Sequence, residues 1–344
     1  MRMLRSKYKV RRDWLSKSPP KNSSPIWRAI EKGKNVIVKG ACFLVGNREN
    51  ISVWKDPWVP YLEDFKPIPR DALSQVRPLM VSNLIDPQTR VWKQDVLGQL
   101  FTQSSIEAIN KIVIPWRPRP DKLVWVKEPI GDFSVKYAYK LSQELSTTSN
   151  EVGKNLEAQR HFQTHPKSFG SWTRAVEFIF NHAPQAQKDL DGITRWSCPP
   201  PNTIKLNVDA TISDHRSTIS VVARNEKGEL LRAWAKHLDG EDPLKAETHV
   251  VLWALELALM EDFQHIVIEG DAKLCFDAIG DKSVTPWSIG SLINNIGDRS
   301  KLFLSYSFCW VRREANFVTH AMAKFAFAFS TLSPPFCFNL STLP

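Results

Sequence analysis

Between residues 203 and 329 apolar and polar positions alternate with a regularity that the rest of the chain lacks. From Thr203 to Thr211 the period is two. Ile204, Leu206 and Val208 fall on one face, and Lys205, Asn207 and Asp209 on the other. That pattern predicts a strand with one wet face. Ser217–Arg224 and Glu229–His237 predict two more strands, separated by Asn225-Glu226-Lys227-Gly228, where Gly suits the turn. Three strands with short connections predict an antiparallel meander. Pro243 then opens a helix over Leu244–Glu261, at a position where its missing N–H costs least. His265–Glu269 reads as a fourth, buried strand. A short helix is predicted from Ala272 and a second from about Ile289 to Leu302. Phe303–Val311 is a fifth strand, and Asn316 caps a closing helix to Phe329. The order βββαβααβα predicts an α/β fold with a five-stranded mixed sheet and flanking helices.

Upstream the pattern is broken. Residues 1–145 hold seven of the 13 tryptophans, and short β-like runs such as Asn35–Val38 and Ile51–Trp54 are cut by Gly and Pro. A small, irregular, aromatic-clasped region is expected there. Residues 146–200 read as a linker, polar from Ser142 to Asn150, with one amphipathic helix near Trp172–His182 and a stiff Pro199-Pro200-Pro201 exit. The predicted divisions are therefore 1–145, 146–200, 201–330 and a tail at 331–344.

Composition changes this picture in one respect. The chain has 344 residues, 42% hydrophobic and 24% charged, which is ordinary for globular protein and excludes whole-chain disorder or a fibrous rod. Its net charge of +10 resides entirely in residues 1–50, with 13 Lys/Arg against 3 Asp/Glu; residues 51–344 carry 33 of each sign. The basic segment from Arg2 to Lys39 could contact phosphates without reading sequence. An Arg- and Ser-containing start is also compatible with an organelle transit segment, though Pro19, Pro20 and Pro25 interrupt a long amphipathic helix. No run approaches the ~20 apolar residues of a membrane helix. The five cysteines form no C-x-x-C pair, which argues against a zinc ribbon or a disulfide framework. An intracellular location, nucleus or cytoplasm, is expected, without a membrane and as a monomer.

Three carboxylates carry the candidate chemistry. Asp209 lies within the first strand, where a charge is costly unless paired or bound to a cation. Glu247 lies early in the long helix, and Asp271 directly follows the fourth strand. If strands one and four are neighbours under the long helix, the three converge. Converging carboxylates repel one another and call for divalent cations, and oxygen-only ligands favour Mg²⁺ or Mn²⁺. Two ions about 4 Å apart would suit phosphodiester hydrolysis. Taken singly, each residue also has an ordinary reading: a surface Asp, a Glu serving the helix dipole, and an Asp capping the next helix.

The motifs Lys205-Leu-Asn-Val-Asp209-Ala, Lys245-Ala-Glu247 with Leu252-Trp-Ala-Leu-Glu-Leu-Ala258, Ile268-Glu-Gly-Asp271, and Val311-Arg-Arg-Glu-Ala-Asn316-Phe-Val-Thr-His320-Ala-Met-Ala-Lys occur in that order. Together they resemble the ribonuclease H domain of plant non-LTR retrotransposons over residues 200–330. The resemblance implies a ribonuclease H-like fold, an RNA·DNA hybrid as partner, and two-metal cleavage of its RNA strand. It places Asp209, Glu247 and Asp271 at the family's carboxylate positions. The fourth position departs, because His320 stands where the family carries Asp. Trp310 stands where the family often has a His. Argonaute proteins are similar in accepting His at the fourth place, so His320 is either a metal ligand, better matched to Mn²⁺, or a plain helix residue of a decayed site. Lys245, Lys273, Trp310, Arg312, Arg313 and Asn316 are the candidate nucleic-acid contacts.

Segments upstream, among them Trp54-Lys-Asp-Pro-Trp58-Val-Pro and Gly131-Asp-Phe-Ser-Val-Lys-Tyr-Ala-Tyr139, resemble the region that follows the reverse transcriptase core in the same elements. The chain has no Asp-Asp pair and no Cys/His zinc segment after Tyr139. A rearranged, retroelement-derived product is therefore expected rather than a working polymerase. The sequence leaves open an active nuclease, a hybrid-binding module without turnover, or a non-functional fragment.

Overall fold

The structure, a computed structural model, describes residues 24–46, 50–71, 78–134, 136–138, 140, 179, 196–213, 216–240, 242–328 and 336–339. The chain divides into two compact units, Met1–Glu157 and Ala158–Pro344. No described helix is long and apolar enough to cross a membrane.

In the first unit, α1 spans Pro25–Val38. Ser24 Oγ accepts the Trp27 N–H at 3.2 Å and Pro25 is the first helical residue, so the helix start is well determined. The helix runs on through Asn35–Val38, which the sequence presents as β-like. Once a turn exists, adding residues is easier than breaking off, even for Val and Ile. β1 (Ala41–Leu44) pairs antiparallel with β2 (Lys122–Trp125). Ile51–Trp54 forms no strand, only a single bridge from Ser52 to Met80. Helices α2 (Gln94–Leu100) and α3 (Gln103–Asn110) contribute Leu97 and Ile109 to a core around Trp58, Ile51, Val53 and Leu84. Trp58 is fully buried, donates its Nε1–H to the Val53 carbonyl at 3.0 Å, and lies 5.9 Å from the Trp92 ring. Buried aromatics, of which Trp58 and Trp92 have satisfied indole N–H groups, thus replace the regular elements that this unit lacks.

The second unit holds β3 (Ile204–Ser213), β4 (Arg216–Arg224), β5 (Leu230–Asp239), α4 (Pro243–Met260), β6 (His265–Gly270), α5 (Lys273–Ile279), α6 (Trp287–Ser300), β7 (Ser305–Trp310), α7 (Phe317–Ala328) and β8 (Phe336–Asn339). The sheet order is β7-β6-β3-β4-β5-β8. β3, β4 and β5 form the expected antiparallel meander, and β6 and β7 join in parallel. The predicted tail supplies an unpredicted sixth strand, β8, antiparallel to β5. Of the linker helix expected at 172–182, only Ile179 is described; it packs on Val222, Ala233 and Met322. The Asn225–Gly228 turn is as expected, with Gly228 at φ 81° and Asn225 Oδ1 accepting two backbone N–H groups.

One expectation is corrected. The polar face of β3 is not wet: Lys205, Asn207 and Asp209 are 3%, 1% and 0% exposed. The segment before β3 covers it. Trp196 donates its Nε1–H to Asn207 Oδ1 at 2.8 Å, and Asn207 Nδ2 donates to Glu269 Oε2 at 3.3 Å. Glu269 in turn pairs with Lys205 at 2.6 Å. The Trp196 ring lies 5.3 Å from Lys205 Nζ and 4.5 Å from the Arg224 guanidinium. Period-two alternation therefore marks a boundary between an apolar core and a buried ion network, not between core and water.

Candidate active site

Each carboxylate is placed by a different element. β3 and β6 are adjacent and parallel, with Val208 opposite Gly270, so Asp209 and Asp271 leave neighbouring strands side by side. Gly270 is required for space: a Cβ there would come within 2.8 Å of Phe276 and 2.9 Å of Val208. It does not have a positive φ, so close packing and not backbone freedom explains it. Asp242 caps α4 by accepting the Lys245 N–H at 3.1 Å, and Pro243 follows. That start sets the helix phase and brings Glu247 to the Asp209 and Asp271 carboxylates.

Asp209, Glu247 and Asp271 offer oxygens that all lie within 4.8 Å of one another. The Asp209 side chain is 1% exposed and that of Asp271 14%. Burial raises the Asp209 carboxyl to about 6, against a partial offset from its hydrogen bond to His320. Burial likewise holds Glu247 well above the usual carboxylate range, and the charges of Asp209 and Asp271 add to it. Asp209 Oδ1 is buried with no hydrogen-bond partner. A cation would satisfy a buried carboxylate oxygen that lacks a partner, in a residue grouped with two further carboxylates. The donor set is all oxygen and fits a hard divalent ion.

His320 lies on α7 and does not join this trio. Its Nδ1 is 3.2 Å from Asp209 Oδ2. Arg313 reaches across the mouth, with Nε 3.3 Å from Asp271 Oδ2 and Nη2 3.5 Å from His320 Nδ1. Trp310, 43% exposed, donates Nε1–H to the Asp271 carbonyl at 3.0 Å, and Lys273 Nζ lies 5.6 Å over its ring. Glu247, Asp271, Trp310, Arg312, Arg313 and Glu314 are among the residues lining an open cavity of about 550 Å³.

Two candidate contacts do not reach the surface. Lys245 is 3% exposed, because the third residue of α4 turns inward. Asn316 is 1% exposed; its Nδ2 donates to the Val208 carbonyl at 2.7 Å and fastens α7 to β3 beside Asp209. That side chain serves the strand and does not cap the helix. Lys273, Arg312 and Arg313 are exposed as expected. Sequence reasoning missed the supporting network of Trp196, Lys205, Asn207 and Glu269. A signal was present: Asn207 and Glu269 each stand two residues before a site carboxylate, on the same strand face.

The raised Asp209 carboxyl gives a signed prediction for the metal-free protein. A carboxyl held near 6 in the fold and near 3.8 when unfolded favours folding fully below pH 4. That contribution is lost as pH rises through about 6. Asp209→Asn cannot ionise, so the difference between wild type and variant should change by roughly 2–3 kcal/mol between pH 4 and 7.5, with the variant favoured at the upper end. Denaturant unfolding in EDTA at the two pH values measures it. An unchanged difference would show that Asp209 is solvated.

Residues 207–326 match a family model described as reverse transcriptase-like. Among solved structures, the domain is similar to ribonuclease H1 from Halobacterium salinarum, at 18% identity over 36% of this chain and 97% of that one, with a TM-score of 0.35. It is also similar to the N-terminal ribonuclease H domain of a Mycobacterium tuberculosis protein (15% identity, 36% and 92% covered, TM-score 0.34). A third is LC11-RNase H1, isolated from compost and solved with an RNA/DNA hybrid (18% identity, 36% and 99% covered, TM-score 0.33). No curated protein matches the chain. The matched segment lies within the α/β domain built on the mixed sheet β7-β6-β3-β4-β5-β8.

Proposed function

We propose that the chain is a divalent-metal-dependent ribonuclease that hydrolyses the RNA strand of RNA·DNA hybrids. The observation that carries this is the convergence of Asp209, Glu247 and Asp271, with one Asp209 oxygen buried and without a partner. The hybrid as substrate rests on the four motifs and their order along residues 200–330. Asp209, Glu247 and Asp271 would hold the cation, Mg²⁺ or Mn²⁺. Bound there, it would polarise a phosphoryl oxygen and ease deprotonation of the attacking water.

The chain's own residues do the rest. Asn316 and His320 fix Asp209 in orientation from α7. Trp310 offers a half-exposed ring beside Asp271 for stacking against a sugar or base, and Lys273, Arg312 and Arg313 supply phosphate contacts that position without reading sequence. The basic segment at 1–50 is an accessory clamp at most. Its removal leaves this assignment intact, as does a retroelement origin for residues 1–145.

The test is an end-labelled RNA annealed to DNA, incubated with Mg²⁺ or Mn²⁺. Cleavage of the hybrid but not of free RNA is expected, and EDTA abolishes it. His320→Asp puts a carboxylate beside Asp209 and should raise the Mg²⁺-supported rate on the order of tenfold, or ~1.4 kcal/mol in barrier. A folded wild-type protein that binds hybrid and cleaves it with neither metal would overturn the hydrolase reading in favour of a binding module.

A further inference from the structure

We propose that the site takes one divalent ion and that the Arg313 guanidinium occupies the place of a second. This rests on the metal-dependent reading above and departs from the two ions that the motif resemblance implies. Four observations lead to it.

α7 supplies no carboxylate for a second ion. Asp209 Oδ2 is engaged by His320 Nδ1 at 3.2 Å. On that side the cluster meets an imidazole ring, a poorer match than a carboxylate to a hard divalent ion. The side of the cluster where a fourth carboxylate would bind a cation thus presents a histidine already in contact with Asp209.

A cation already stands there. Arg313 Nε lies 3.3 Å from Asp271 Oδ2 while its Nη2 lies 3.5 Å from His320 Nδ1, so the guanidinium spans from the end of β6 to α7. A guanidinium does not lose its charge at any pH the protein meets. It therefore supplies at this point the fixed positive charge that an ion would supply reversibly.

Solvent reaches the carboxylates from the other side. The open cavity is lined by Glu247 and Asp271 and bounded by Arg313, and neither Asp209 nor His320 lines it. One ion can enter against Glu247, Asp271 and the partnerless Asp209 Oδ1. A second, between Asp209 and His320, would have to displace the guanidinium.

The exposed part of Arg313 suits substrate. Its side chain is 64% exposed, and with Nε on Asp271 the remaining N–H groups can fork onto a phosphate oxygen. The group would meet the scissile phosphate from the α7 side, where it stabilises the charge that develops on the phosphoryl oxygens.

The readout is ion count, not turnover. Metal-free protein is titrated with Mn²⁺, and bound ions per chain are counted from loss of the free-ion electron paramagnetic resonance signal. Wild type should bind one ion. Arg313→Gln, at an exposed position that leaves the core untouched, should bind two. Arg313→Lys, which keeps the charge, should bind one, as should Arg312→Gln, which removes a neighbouring exposed charge. Two ions in wild type, or one in Arg313→Gln with circular dichroism unchanged, overturns the proposal. Absence of any bound ion in the folded wild type overturns the metal reading itself, a separate failure.

Discussion

Asp209→Asn is expected to lower hybrid cleavage on the order of 10³-fold with little change in hybrid affinity. The substitution conserves volume, so the packing between β3 and α7 survives, and Asn can still accept from His320. What disappears is one negative charge at the centre of the trio and the oxygen, Oδ1, that has no partner in the protein. Charge stabilisation by a bound cation contributes several kcal/mol to such reactions. Losing about 4 kcal/mol of it corresponds to three decades in rate, since each decade is about 1.36 kcal/mol. Affinity changes little because Lys273, Trp310 and Arg312, the proposed contacts, lie on the surface and not on Asp209. Glu247→Gln and Asp271→Asn should be comparably severe, and the triple variant hardly worse than any single one, because groups that act as a unit are not additive. The measurement is single-turnover cleavage beside equilibrium binding. A loss below tenfold for Asp209→Asn would remove the carboxylate from the site chemistry, whatever its position.

The parts of this site that were readable in the sequence are those that local pattern determines. Alternation through Thr203–Thr211 puts Asp209 on a strand, Pro243 sets the start of α4 and so the turn on which Glu247 sits, and the β6 run ends at Asp271. The element order then brings the three together. What local pattern cannot report is which polar residue faces inward. Lys245 has the charge and the position near Glu247 of a phosphate contact, yet it is buried. Asn316 had the composition of a cap, but its amide reaches a carbonyl 108 residues away in sequence. The polar face of β3 looked solvated, because period two is the same whether the second face meets water or Trp196. The four residues of β8 carry too little pattern to stand out from a tail without β5 beside them.

The same hidden face yields the largest expected effect on stability. Glu269→Gln should destabilise the second unit by about 3–5 kcal/mol, the range found when one partner of a buried ion pair is removed. Lys205 is 3% exposed and its Nζ lies 2.6 Å from Glu269 Oε1 and 2.6 Å from the Ser197 carbonyl. Arg224, 5% exposed, is a second buried cation in the same pocket. Burial lowers its guanidinium to about 10, and Glu269 opposes that shift. One carboxylate therefore compensates two desolvated cations. Gln keeps the volume but offers a single acceptor oxygen, so it cannot serve both Asn207 and Lys205, and the loss includes a hydrogen bond as well as the charge. Lys205→Met removes one of the cations, and combining it with Glu269→Gln should recover part of the loss, giving a coupling of roughly 1–3 kcal/mol, of the size seen for contacting residues. Denaturant unfolding with an unchanged slope measures both numbers. Additive single and double variants would mean that Lys205 escapes to water when Glu269 is neutralised, and that the Trp196 segment opens to let it. If the network instead holds together, its strain falls on Asn207 and Glu269, each two residues from a site carboxylate. Glu269→Gln should then also weaken Mn²⁺ binding, though none of its atoms is a ligand.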